Sequence, residues 1–472
     1  MNNILKFLIP WLAVAWLVCP AVAQEAAPEA APEMSQDSAA ISALPIDISS
    51  TETTGAPPEY VWTLDDVLRI AFENNPDLQS ARANFQAAAE VVGEAVSGYL
   101  PSVDGFASSV RTTLPQPSAG LTAFLGENRP YTMGVVSIRQ ILLDFGKNLE
   151  NIEASRAEKR SAEQDVFALH NLIELNTERA FYDVAAAQKL VEVAKKSMAQ
   201  FQETYRRADM QVKTGVRPPF DRTQAEVELA KAQLALINAR STRDLARIAL
   251  VNIMGMRRQV TFALKEGPVQ TLPASVTALD MQRLTDVALR ERPEMRRADF
   301  RVESAVDRLK EQRFQYTPTF NAAGWYGDYA GDYPIQERGA WGFGVNASMN
   351  LFDGLSTTFR LKELKFRLEQ QEASAKRQSE NIVAEVAVAY MNLMRAEQNE
   401  TVADEGAEFA KENFQFARKR YDADVGTILE LLVAETSLVN AEAVQVEARY
   451  RYATGLAALK RAVNAPLIEA GK

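Results

Sequence analysis

Two stretches set the scale of any fold this chain can adopt. From Lys147 to Thr214 it runs 68 residues without glycine or proline, and from Leu355 to Val425 it runs 71 residues with only Gly406. At 1.5 Å per residue a helix of that length reaches about 100 Å. That far exceeds a globular helix, and the periodicity predicts coiled-coil-like association of long helices. A seam can be followed along the first stretch through Val166, His170, Ile173, Thr177, Ala180, Val184, Ala187, Val191, Ala194, Met198, Phe201, Tyr205, Ala208 and Val212, in steps of three and four. Its counterpart runs through Ala389, Leu393, Ala396, Glu400, Ala403, Ala407, Ala410, Phe414, Ala417 and Tyr421. Frequent alanine lets helices approach closely, as a wall of parallel staves requires.

The two stretches belong to an internal duplication. The segment "AFENNPDLQSA" (Ala71 to Ala81) aligns with "ALRERPEMRRA" (Ala288 to Ala298) at an offset of 217, which also carries Pro101 onto Pro318. From "LLDFG" (Leu142 to Gly146) and "LFDG" (Leu351 to Gly354) onward an offset of 209 holds, through Ala180/Ala389 to Leu250/Leu459. Each copy reads as helix, strand, loop, strand, very long helix and returning helix. The first copy spans 60–255, with strands at about 102–113 and 131–142 and a helical hairpin at 147–254. A linker at 256–280 leads to the second copy at 281–464, with strands at about 319–327 and 340–351 and a hairpin at 355–464, before a tail at 465–472.

The clearest strand is "AWGFGVNASMNL". Trp341, Phe343, Val345, Ala347, Met349 and Leu351 share one parity, and small or polar residues fill the other. Such alternation marks a strand with one greasy face. Its twelve residues slightly exceed the 9 to 11 that a tilted spanning strand needs, so Trp341, Phe343, Val345, Met349 and Leu351 are expected to face lipid while glycines and asparagines line a wet pore.

The N-terminus suits that destination. After Lys6 come the apolar run "FLIPWLAVAWLV" and "AVA" at Ala21 to Ala23, the pattern of a secretory signal peptide over 1–23. Lipidation of Cys19 is the weaker alternative, because Val18 stands where a small residue is wanted. Cys19 is the only cysteine, so the cleaved chain has no disulfide or cysteine metal site. The segment 24–59 carries seven acids, several prolines and no Lys, Arg or aromatic residue, and is expected to be a disordered lead-in. Without it and Lys6 of the signal peptide the net charge of −10 falls to about −4, and nothing points to nucleic acid as a partner.

Four amphipathic strands cannot close a membrane barrel, and open strand edges are not tolerated in hydrocarbon. Two chains would give eight strands and a lumen filled by side chains; three would give twelve and room for water. A periplasmic coiled-coil structural or adaptor protein without a pore also accounts for the seams, but not for a strand of membrane-spanning length.

The duplicated "NNPDL"/"ERPEM" segments, the "LLDFG"/"LFDG" strand exits and two hinges, "TGVRPPFDRTQAE" (Thr214 to Glu226) and "VGTILELLVAE" (Val425 to Glu435), together resemble the TolC-like outer-membrane efflux family over about Trp62 to Asn464. The resemblance implies a mainly α fold with a β-barrel part: a homotrimer whose twelve-stranded outer-membrane β-barrel continues into a periplasmic α-helical barrel. It implies passive conduction of drugs, metals or secreted proteins delivered by an inner-membrane pump, of RND, ABC or MFS type, through a periplasmic adaptor. Carried over residue by residue, Gly215 and Gly426 are expected to be the hinge glycines that reverse each long helix without a Cβ penalty. Asp221 and Glu430 resemble the acids after each hinge, which would favour cations at a threefold aperture and help hold the gate. A helix-start carboxylate favoured by the macrodipole is the plainer role for both. Arg217 and Arg222 are expected to pair with nearby acids or to touch the adaptor. Pro218 and Pro219 depart from the family pattern and stiffen the first hinge.

No nucleophile elbow or phosphate loop appears, and His170, the only histidine, falls on the helical seam without ligand partners. No cofactor, metal or enzymatic activity is expected.

Overall fold

The computed structural model describes residues 60–113, 128–256, 262–265, 276, 279–331 and 338–465. The signal sequence at 1–23, the lead-in at 24–59 and nearly all of the tail lie outside the described residues. So do the loops at 114–127 and 332–337.

The first repeat begins with β1 (Tyr60–Trp62), α1 (Leu64–Asn74) and α2 (Pro76–Ser97). It continues with β2 (Ser102–Thr113), β3 (Asn128–Leu143), the long α3 (Lys147–Lys213) and α4 (Pro219–Ile253). After β4 (Phe262–Leu264) the plan repeats as α5 (Met281–Glu291), α6 (Pro293–Arg313), β5 (Thr319–Gly331) and β6 (Arg338–Ser348). The second hairpin is α7 (Ser356–Asp422) and α8 (Ile428–Val463). The segment expected to be a bare linker therefore carries a strand. β4 pairs in parallel with β1, and the Trp62 and Phe262 rings stack at 4.6 Å.

One four-stranded antiparallel sheet has the order β2-β3-β5-β6, leaving β2 and β6 as open edges. Its register gathers one continuous apolar face, while the opposite face mixes polar residues with Phe106, Val135 and Trp325. Ile138 pairs with Val103 and Gly324, Val136 with Tyr326, Tyr326 with Trp341, Gly324 with Phe343 and Ala322 with Val345, so these residues share one apolar face. Asp104, Ser137, Arg139, Asn321 and Asn346 fall on the other. Glycine serves close approach here: a Cβ on Gly342 would meet the Trp325 indole nitrogen at 2.7 Å, so the ring lies over bare backbone. The strand does not reach Leu351. Ser348 pairs with Thr319, the first residue of β5, and the preceding Pro318 has no N–H to extend the ladder. Met349 and Leu351 are exposed beyond the strand end, which corrects their place on its lipid face.

Both passages from sheet to long helix are made the same way. Phe145 (φ 58°) and Gly146 (φ 100°) turn left-handed in succession, as do Gly354 (66°) and Leu355 (70°). Each turn is held by the aspartate before it. The Asp144 carboxylate accepts the Asn148 N–H at 2.8 Å and the Gly146 N–H at 3.1 Å, and Asp353 accepts the Thr357 N–H at 2.7 Å. The aspartate thus satisfies N–H groups that a helix start leaves unpaired.

The helical segments before the sheet turn differently in the two copies. Asn75 caps α2, its side-chain oxygen accepting from Asp77 N–H (2.9 Å) and Leu78 N–H (3.2 Å) ahead of Pro76. In the second copy Arg292 occupies that place and cannot cap, since guanidinium accepts nothing. It is instead buried, donating to Glu294 (2.8 and 3.1 Å) and to Glu385 (2.6 Å), and Arg461 bonds the same two carboxylates at 2.8 and 3.0 Å. This network ties α6, α7 and α8 together. Burial works against the Glu294 charge, but the Arg292 and Arg461 guanidinia hold its carboxyl below the usual range.

Along the long helices the small-residue seam is the core. Ile173, Ala180 and Val184 meet Leu250 and Val251, and Ile382, Val386 and Leu393 meet Tyr452 and Leu459. His170 stacks on Phe72 with ring centroids 3.9 Å apart, and burial lowers its pKa. Leu393 is fully buried against Gly455, so Leu393→Ala is expected to destabilise the second hairpin by about 2–5 kcal/mol. Helical circular dichroism through a denaturant titration in detergent checks this; an unshifted midpoint would contradict the packing.

Candidate functional site at the hairpin ends

Each hairpin reverses through five residues, 214–218 in the first and 423–427 in the second. The first turn is a Schellman motif: Gly215 sits at φ 76°, its N–H bonds Val212 O (3.1 Å), and Val216 N–H bonds Gln211 O (2.9 Å). The second turn repeats it, with Asp424 N–H on Tyr421 O (3.1 Å) and Val425 N–H on Arg420 O (3.0 Å). The residue in the left-handed conformation there is Asp424 (φ 58°), not Gly426. Aspartate is among the few L-residues that tolerate this region. Gly426 is needed for a different reason. Its N–H bonds Arg420 O at 2.9 Å, and an added Cβ would lie 3.1 Å from both Arg420 Cβ and Tyr421 N.

Arg217 links the two turns. Its guanidinium donates to Asp424 Oδ1 and to Gly426 O, each at 3.2 Å, and lies 5.1 Å from the centroid of the buried Tyr421 ring. Tyr421 in turn donates its hydroxyl to Gln211 Oε1 at 2.8 Å, and Arg207 donates to Asp422 at 3.0 Å. These contacts join α3 and its turn to the end of α7. Arg222 instead stays within its hairpin, 3.4 Å from Asp209.

The two acids after the hinges have opposite surroundings. Glu430 is exposed in the first turn of α8, where its N–H bonds the Thr427 cap and its carboxylate lies 3.5 Å from Arg420. Asp221 is 6% exposed in the first turn of α4. Burial raises its pKa while the Arg217 charge lowers it, and its negative charge contributes to the raised pKa of Tyr421 after burial itself. Asp221 is therefore part of the Arg217–Tyr421 cluster and not a solvent-facing acid.

A further group went unnoticed in the sequence. Glu435 lies within the second hinge segment but is completely buried between α8 and α3, accepting one bond from Thr204 Oγ1 (3.1 Å) while its other oxygen has no partner. Burial pushes its pKa up to about 7, opposed by Thr204 and the Arg418 charge. The only sequence signal was its position five residues beyond the exposed Glu430, on a different face of the same helix. Among the described residues no group of His, Cys, Asp and Glu could hold a metal, and no helix is long and apolar enough to cross a membrane.

A sheet with one continuous apolar face and a mixed opposite face that carries Asp104, Arg139, Asn321 and Asn346, mounted on two long hairpins that meet at an ion-paired end, fits a channel-type protein. Comparison with known proteins agrees. The family model described as outer membrane efflux protein matches residues 67–256 and 284–465, so the chain belongs to that family. Protein CyaE of Bordetella pertussis is 24% identical over 414 residues, covering 86% of this chain and 83% of its own length. Outer membrane protein TolC of Vibrio cholerae is 21% identical, covering 89% and 95%. The solved outer-membrane channel OprN superposes with a TM-score of 0.74 at 22% identity, covering 86% of this chain and 90% of its own. The protein is thus an outer-membrane efflux channel whose helices extend into the periplasm, and the pore-free periplasmic reading falls away.

Because the folded-state pKa of Glu435 lies above its unfolded value of about 4.5, the folded form binds the proton more tightly, and stability is lost as pH rises from 4.5 to 7. The loss is roughly 3 kcal/mol when complete. Glu435→Gln, which mimics the protonated form, is expected to stabilise the protein at pH 8 and to leave it unchanged at pH 4.5. Thermal midpoints of both proteins across that range check the sign.

Proposed function

We propose that three copies of this chain close a twelve-stranded barrel in the outer membrane and form the exit duct of a tripartite efflux or type I secretion system. The observation that carries the reading is the four-stranded sheet with two open edges. Trp341, Phe343, Val345, Tyr326 and Ile138 on one face suit lipid, while Asp104, Arg139, Asn321 and Asn346 on the other suit water. Only closure with other copies pairs the β2 and β6 edges, and twelve strands leave an aqueous lumen where eight would not. Substrates are delivered by an inner-membrane pump through a periplasmic adaptor, and the hairpin ends are the surface such an adaptor meets.

In this arrangement the hairpin ends are the constriction. Exposed Glu430 would form the acidic ring that favours cations, while Arg217, Asp424, Tyr421 and buried Asp221 hold the two turns together. Gly215 lets the first turn reverse, and Gly426 keeps the second close enough for Arg217 to reach.

The protein-only mass in mild detergent is expected near three chains; a stable monomer would overturn the barrel. In planar bilayers Glu430→Gln should lower cation over anion selectivity, and Arg217→Ala should raise conductance by releasing the second turn. Unchanged currents in both variants would move the constriction elsewhere.

A further inference from the structure

Next to the sheet the wall is made of four staves in the order α2, α3, α6, α7, each packed on the next. A cleft of about 500 Å³ opens on one face of it and takes lining residues from all four helices. Neighbouring staves share a seam on either face of a wall, but only on its concave face do side chains of the first and fourth converge on one space. When the wall is bent into a tunnel, that face is the inner one. Small side chains, among them the buried Ala162 and Ser304, leave the hollow open. Four arginines stand in its lining: Arg301 and Arg308 on α6, Arg360 and Arg367 on α7.

The arginines form a two-by-two array. α6 leads into the sheet and α7 leaves it, so the two helices run antiparallel, and the arginines of each are one heptad, about 10 Å, apart. Arg308 and Arg360 therefore stand at the sheet end of the cleft, with Arg301 and Arg367 one level below. Their acids are too few. Arg308 donates to Glu158 at 2.6 Å, and Arg301 reaches Asp165 at 3.4 Å, a carboxylate already held by Arg297 at 2.7 Å. Arg360 and Arg367 share the single carboxylate of Glu363, at 2.7 and 2.6 Å. Glu311 is a fourth acid within electrostatic reach of Arg308 and Arg360, but Lys147 stands beside it and burial opposes its charge. Five guanidinia and one ammonium are thus set against four carboxylates. A guanidinium carries five N–H donors. The four lining arginines are 50–61% exposed, so most of those donors stay open to a ligand. Arg301 and Arg308 also tie α6 to α3, whereas the bonds of Arg360 and Arg367 stay within α7 and join no second helix.

We propose that this cleft binds small organic dianions on the inner face of the duct, its arginines holding one acidic group at each level. Its volume lies in the range of small-molecule sites. Guanidinium is the cation best shaped for the paired oxygens of carboxylate, sulfonate or phosphate. A cleft with an excess of one sign of charge also concentrates counter-ions. The acidic Glu430 at the hairpin end does not oppose this. Most of the length of α7, about 80–90 Å, separates it from the arginines, against a Debye length of about 8 Å. The inference names a substrate class for the exit duct and rests on that reading for its luminal placement, whereas the cleft itself is built within one chain.

Naphthalene-2,6-disulfonate and the monoanion naphthalene-2-sulfonate serve as probes in calorimetric titrations of the detergent-extracted protein. The dianion is expected to bind about tenfold more tightly than the monoanion, the scale of one added charge-assisted bond, and to weaken as salt rises. Arg360→Gln/Arg367→Gln breaks no bond between helices and should cost the dianion about tenfold in affinity. Glu363→Gln frees both guanidinia and should tighten binding several-fold. A role confined to holding the fold would not give these opposite signs. No binding, equal affinity for the two probes, or equal dianion affinity in the wild type and the double arginine variant would overturn the proposal. In planar bilayers the dianion should reduce the wild-type current and leave that of the double variant unchanged; binding without such a block would place the cleft off the duct and overturn its luminal assignment. A native mass of one chain would sink the trimeric reading alone, because the ranking of the three proteins in dianion affinity belongs to a single chain and would persist.

Discussion

A helix of 67 residues standing in a wall one helix thick must be covered on two opposite flanks, and nearly everything else in this chain follows from that constraint. A helix in a globular core needs one apolar stripe; a stave needs two, separated by faces that stay wet. α3 meets this with a seam dominated by Ala, Val and Thr, small enough for α4 and α8 to approach on either side, with the larger Phe201 and Tyr205 joining it toward the hairpin end. The two-sided demand also explains why α3 contains no glycine or proline and α7 only Gly406. A single kink would throw both seams out of register at once.

Duplication solves the same junctions twice, with different residues wherever the physics permits. The left-handed position of the hairpin turn takes glycine in one copy and Asp424 in the other, and the helix start before the sheet takes a capping Asn75 in one and a buried Arg292 in the other. Replacing a cap with a guanidinium leaves a buried cation, which is costly unless paired. Glu294, Glu385 and Arg461 are the compensation, drawn from three helices. An exchange that looks like the loss of a cap thus becomes a tie between elements far apart in sequence.

The features readable in the sequence were those set by local periodicity. Parity in "AWGFGVNAS" and three-four spacing along α3 and α7 are one-dimensional signals, and the aspartates of "LLDFG" and "LFDG" were visible as repeated strand exits. The end of β6 was not readable, because parity continues through Met349 and Leu351 while the ladder stops for lack of a donor at Pro318 on the neighbouring strand. Gly426 was expected to spare the turn a Cβ penalty, but the source of that penalty was not readable; only the approach of Arg420 and Tyr421 shows that missing volume, not a left-handed φ, is what matters. Asp221 and Glu430 look alike as acids after a hinge, yet one lies under Arg217 and the other faces solvent, a difference created by contacts between the hairpins. Arg292 and Glu435 were invisible for the same reason, since their partners come from other helices.

Two charge networks punctuate the helical wall, one at the hairpin turns and one about midway along α7, and their placement has a structural logic. Between them the seams are mainly apolar, crossed by polar pairs such as Lys196–Glu442 and Thr204–Glu435, so neighbouring helices are held chiefly by burial, which is indifferent to small sliding motions. At these two places the contacts become directional: Arg292 with its two glutamates about midway along α7, and Arg217 on Asp424 and Gly426 at the turns. Directional bonds fix register where apolar burial alone leaves it loose, and they can be exchanged for water at modest net cost when exposed. Arg217 and Asp424 lie partly in solvent, whereas Arg292 and Glu294 are nearly dry. The dry network is therefore the fixed tie of the second hairpin, and the wet turns are the part that can let go.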